Sequence, residues 1–128
     1  MNKNIPLYYN EDGTKFGVLV SYGFGAGWST WSEQELAYDR RVIEFWMAHQ
    51  NDKSWMKNVD IYPYGGFESV AHAEAREFFV NELGLDECPY MGGFADCVLE
   101  WVPVGARFRI NEYDGAESLE IENEGSWW

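Results

Sequence analysis

Arg107-Phe108-Arg109-Ile110-Asn111-Glu112-Tyr113-Asp114-Gly115-Ala116-Glu117-Ser118-Leu119-Glu120-Ile121-Glu122 decides how the chain is organised, because its alternation and its turn residues agree on one register. Asp114-Gly115 reads as a two-residue hairpin loop, since both residues tolerate the positive φ that such a turn demands. With that loop fixed, Phe108 faces Ile121, Ile110 faces Leu119, Arg109 faces Glu120 and Arg107 faces Glu122. Apolar residues then meet apolar ones and cations meet anions across one ribbon. The same register sets Glu112 opposite Glu117 near the turn. Like charges there are expected to be solvated at the hairpin end, with an acid–base pair as the minor alternative.

Working upstream, Val98 to Val102 is a strand and Pro103-Val104-Gly105 a turn, so the C-terminal third reads as a β-meander. Phe16 to Tyr22 alternates as a strand, with Phe16, Val18, Val20 and Tyr22 on one side and Leu19 on the other. Between them lie two helices. Thr30 with Glu33 and Ser32 with Glu35 are candidate capping boxes for a helix running to His49 or Gln50. Glu68 to Leu83 is the second, with Ala71, Ala75, Phe78, Phe79 and Leu83 inward and Gly84 as its C-terminal cap. The expected fold is α+β: a single domain over 1–128, mostly antiparallel sheet from the N-terminal strand and the C-terminal meander, packed against two helices. The first helix carries two apolar stripes, Leu36, Ile43 and Met47 against Tyr38, Val42, Phe45 and His49. Packing under residues 55–64 is the favoured covering of the second stripe; a homodimer through Tyr38, Val42 and Phe45 is the alternative.

Composition narrows the function. Of 128 residues, 22 are acidic and 9 basic, a formal net charge of −13 that repels phosphate backbones and anionic membrane surfaces. No apolar run is long enough to cross a bilayer and the first residues lack a secretory signal, so a cytoplasmic protein is expected. Cys88 and Cys97 are too few for a disulfide scaffold and read most simply as free thiols. His49 and His72 have no ligand-like spacing, so no metal is expected; a Cys–His nucleophile pair is left open. No enzyme signature and no cofactor motif is found.

The segment Gly23-Phe24-Gly25-Ala26-Gly27-Trp28-Ser29-Thr30-Trp31 follows the first strand directly. Strand, glycine loop and helix start would aim backbone amides at an anion. The spacing lacks the third glycine of a dinucleotide fingerprint and the Gly-Lys-Ser/Thr of a phosphate loop. Trp28 and Trp31 would stack on a base or pack into the core. Arg107, Arg109 and Tyr113 share a face that would bind phosphate or carboxylate, although pairing with Glu120 and Glu122 accounts for the arginines without a ligand. Pro63-Tyr64-Gly65-Gly66-Phe67 and Pro89-Tyr90-Met91-Gly92-Gly93-Phe94 echo one another around the second helix, as loops or as lips of one pocket.

Lys15 to Ser21, the Gly23 to Trp31 loop and Val102-Pro103-Val104-Gly105-Ala106 with the hairpin through Ser118 together resemble a group of small phage and prophage proteins. The resemblance covers the first strand, its loop and the final hairpin. It implies a phage origin and, with no enzyme motif, a role against a host defence system in the host cytoplasm. Two expectations follow. The first is a non-enzymatic protein that sequesters a nucleotide-like signal, with Gly23, Gly25, Gly27, Trp28, Ser29, Thr30, Trp31, Arg107, Arg109 and Tyr113 binding the ligand. The second is an acidic nucleic-acid mimic that blocks the basic channel of a host defence nuclease or CRISPR complex. Neither involves direct binding of nucleic acid or membrane.

Overall fold

The hairpin has the register that its sequence dictates. In the computed structural model, which describes residues 5–61 and 63–122 and leaves out the side chain of Tyr64, β3 (Phe108–Tyr113) pairs antiparallel with β4 (Ala116–Ile121). Phe108 faces Ile121, Arg109 faces Glu120 and Ile110 faces Leu119. The Glu122 N–H donates to Arg107 O at 2.8 Å, carrying the match one step beyond the strands.

The preceding strand takes a different partner from the one a meander would give it. β2 (Cys97–Pro103) pairs with β1 (Lys15–Ser21), from Lys15 opposite Pro103 to Ser21 opposite Cys97, so the sheet divides into two two-stranded ribbons. The turn after Pro103 closes on itself, Ala106 N–H donating to Pro103 O at 3.0 Å, and the neighbouring Val104 N–H goes to Thr14 O at 2.9 Å. β1 is buried on both sides. Phe16, Val18 and Val20 join Ala37, Tyr38, Val102 and Ile110 in one apolar cluster. Leu19 faces the larger cluster beneath the helices. Tyr22, read on the same side as Phe16, Val18 and Val20, lies just past the strand, is exposed and donates to Glu100 at 2.6 Å.

Helix starts are set by which hydroxyl or carboxylate is free to cap. α1 (Arg40–His49) begins later than the two capping boxes suggest, because Thr30 Oγ1 donates to Glu117 at 2.6 Å and Ser32 Oγ to Trp28 O at 3.0 Å. Asp39 caps it instead, accepting from Arg41 N at 2.9 Å. Residues 29–37 form two short 3₁₀ turns. A helix that the sequence reading omits, α2 (Lys53–Val59), is capped by Asp52, which accepts from Trp55 N at 3.0 Å. α3 (Val70–Arg76) is capped by Ser69 and continues as a π turn over Glu77–Glu82 before Gly84, at φ +84°, ends it.

That π turn presents adjacent rings to the second stripe of α1. Phe45 stacks on Phe78 with centroids 4.2 Å apart and meets Phe79 edge-on at 6.0 Å, while His49 lies flat on Trp55 at 3.8 Å. Tyr38 and Val42 are buried. The stripe on which a homodimer would rest is therefore covered within the chain: Tyr38 lies edge-on to Phe108 of β3, and Phe45 packs on Trp55 of α2 and on the rings of the π turn. Cys88 and Cys97 are free thiols.

Candidate functional site

The glycine loop is an anion-binding nest, and its anion comes from the hairpin. Glu117, in β4, is 1% exposed and extends its carboxylate into the loop. Oε1 accepts from Ser21 N at 2.8 Å; Oε2 accepts from Trp28 N at 2.9 Å, Thr30 N at 3.1 Å and Thr30 Oγ1 at 2.6 Å. Hydrogen bonds to an ionised oxygen are among the stronger ones available, and three backbone amides and one hydroxyl converge on this carboxylate. The turn follows the carboxylate in: Gly25 N–H donates to Asp114 O at 2.6 Å, and a Cβ on Gly115 would collide with the backbone of Gly25 and Ala26. Solvation at the hairpin end is therefore the wrong account of Glu117. Glu112 is engaged elsewhere, accepting from Gly115 N at 2.7 Å.

This arrangement redistributes the residues that the sequence marks as a ligand site. Trp28 is fully buried, with Phe94 at 4.9 Å and Phe79 at 6.5 Å between ring centroids, and is a core residue rather than a stacking platform. Its Nε1 and the Ser29 hydroxyl are buried without a hydrogen-bond partner among the described residues. Gly23 makes room for the Asp96 carboxylate, and Gly25 touches the hairpin turn. Thr30 serves Glu117. Arg107 pairs with Glu122 at 3.3 Å and Arg109 with Glu120 at 3.1 Å, the cross-strand pairing read from the register. Asn111 also donates to Glu120. Tyr113 is exposed beside the turn. Of the two loop tryptophans only Trp31 faces outward, and the cleft that it lines includes neither arginine nor Tyr113.

That cleft, of about 480 Å³, runs between Trp31, Glu33 and Leu36 on one side and Asp86, Glu87 and Tyr90 on the other. A second cleft, of about 590 Å³, shares residues 87–90 with the first and includes Asp60, Glu68, His72, Arg76 and Cys88. Glu68 is the hub of the second: Arg76 bonds it at 2.9 Å and His72 Nδ1 lies 2.6 Å from its other oxygen. Arg76 first, then His72, hold its carboxyl down to about 2. Burial pushes the Cys88 thiol up to about 11, so it stays protonated and lacks the thiolate that a nucleophile needs. The spacing of Glu68, His72 and Arg76 at successive fourth positions is the sequence signal for this cluster.

Among the described residues no group of three or more His, Cys, Asp or Glu is placed to hold a metal ion, and no helix is long and apolar enough to cross a membrane. The part of the acidic tail beyond Glu122 lies outside the described residues. No protein-family model matches the chain and no solved structure does. The chain is similar to penicillin-binding protein 1A from two strains of Clostridium perfringens, at 28% identity over 98 residues, or 70% of the chain. It spans only 13% and 10% of the length of those relatives, a likeness to a small part of a much larger protein.

Proposed function

We propose that the chain is a binding protein whose partner is a basic protein surface, in the manner of an acidic nucleic-acid mimic. One observation carries this reading: the amides best suited to an anion are already held by Glu117, whereas carboxylates outnumber cations in the two clefts at residues 87–90. A phosphate entering the loop would have to displace a buried carboxylate from its four donors and then face a chain of net charge −13. A cationic surface meets neither obstacle and is steered by the same field. The resemblance to phage proteins makes the basic channel of a host defence nuclease or CRISPR complex, in the host cytoplasm, the partner class to examine first.

The penicillin-binding relatives offer a second activity, which the residues here do not support. Serine acylation in such proteins relies on S-x-x-K together with S-D-N and K-T-G sequences. Ser54-Trp55-Met56-Lys57 has the first spacing, but both end residues are exposed and neither companion sequence is present in the chain.

The test is a pull-down from host lysate at low and at high salt, followed by competition between the chain and labelled duplex DNA for the recovered protein. The expected result is a basic partner retained only at low salt whose DNA binding the chain abolishes. Recovery of nothing at low salt, or of a partner that still binds DNA, contradicts the proposal.

A further inference from the structure

Trp31 and Tyr90 are large aromatic residues, each left 44% exposed, that meet at the first cleft. Their ring centroids lie 5.7 Å apart with planes inclined by 32°. Each ring is seated on a glycine. A Cβ on Gly27 would stand 3.1 Å from the Trp31 indole, and a Cβ on Gly92 would run into the Tyr90 ring. The Gly23–Trp31 loop and the Pro89–Phe94 segment thus meet here, and their glycines let exposed rings lie against backbone. Side chains fixed this way lose little rotamer freedom on binding, which is what a recognition site gains from preorganisation.

The remaining lining fixes the sign of the occupant. Glu33, Asp86 and Glu87 border the rings, Leu36 is buried beside them, and among the described residues no Lys, Arg or His lines the cleft. An aromatic face attracts a cation within roughly 6 Å of its centroid, and carboxylates beside it exclude anions. We propose that this cleft is the specific contact of the interface, taking one arginine or lysine side chain from the basic partner against the exposed faces of the Trp31–Tyr90 pair and beside the three carboxylates. This rests on the basic-partner reading above and adds to it a defined pocket, where overall charge alone would give only a diffuse attraction.

The experiment titrates an octa-arginine peptide into the full chain at low salt, following both affinity and the indole N–H resonance of Trp31, assigned with Trp31→Phe. The Trp31 indole is expected to shift saturably. Trp31→Ala and Tyr90→Ala should each weaken binding roughly tenfold, while Trp31→Phe retains most of it. Glu87→Lys should weaken binding more than Glu11→Lys, an equal charge change on an exposed loop away from the cleft. Near-ultraviolet circular dichroism of each variant separates loss of the site from loss of the fold. If the peptide binds but Trp31→Ala, Tyr90→Ala and Glu87→Lys behave like Glu11→Lys, the cleft is not the site and the basic-partner reading stands without it. If the peptide does not bind the unsubstituted chain at low salt, both fail.

Discussion

Glu117 is the residue on which the loop depends, and its substitution separates an internal ligand from an ordinary surface carboxylate. Both oxygens accept from fixed donors, so a glutamine there must set an amide against an N–H or O–H. Glu117→Gln is expected to lower unfolding stability by about 2–4 kcal/mol in urea titrations. Arg109→Ala, which removes an exposed pair with Glu120, should change it by less than about 1 kcal/mol. Equal effects would remove the special status of Glu117. The difference also marks what the sequence shows and what it hides. Arg109 and Glu120 are assigned by alternation and one turn, local features that agree. Glu117 finds donors 96, 89 and 87 residues upstream, and no local pattern points to a partner so distant. The nest was recognisable in Gly23 to Thr30 as a place for an anion; the identity of the anion was not.

Among the elements, α1 was legible as an amphipathic helix but not at its start, because two hydroxyls with good capping sequence are committed elsewhere. Asp39→Ala should therefore cost about 1 kcal/mol and raise amide exchange in the first turn of α1. Thr30→Val should destabilise the loop while leaving exchange at Val42 and Ile43 unchanged relative to the rest of the helix. A loss of protection confined to the first turn of α1 in Thr30→Val would mean that the capping box is used after all. α2 escaped notice because seven residues hold too few turns to show periodicity, although Asp52 marks its beginning. At α3 the Glu68 cluster makes a prediction about acid. Its carboxyl titrates near 2 when folded against an ordinary 4.5, so its contribution is complete above pH 4.5 and is lost as pH falls towards 2. Over that window the wild-type chain should lose stability more steeply than Glu68→Gln, as read from melting temperature at successive pH values.

For the whole molecule, a net charge of −13 acts on folding and binding in opposite senses. Like charges repel in the compact state and attract a cationic partner, and salt screens both. Adding salt should raise the melting temperature of the free chain and weaken its complex with a basic protein; a melting temperature that falls with salt would show that favourable surface pairs dominate. The α+β organisation was legible because β1 and the final hairpin announce themselves, whereas the division into two ribbons depends on β2 choosing β1, a decision of tertiary packing. The glycine loop is closed by the molecule's own carboxylate and is on that ground closed to phosphate. The most direct measurement is a nitrogen–proton correlation titration of the wild-type chain with ATP at low salt. The backbone amides of Ser21, Trp28 and Thr30 should stay in place up to millimolar nucleotide; saturable movement of all three would contradict the assignment of Glu117 as the loop's ligand.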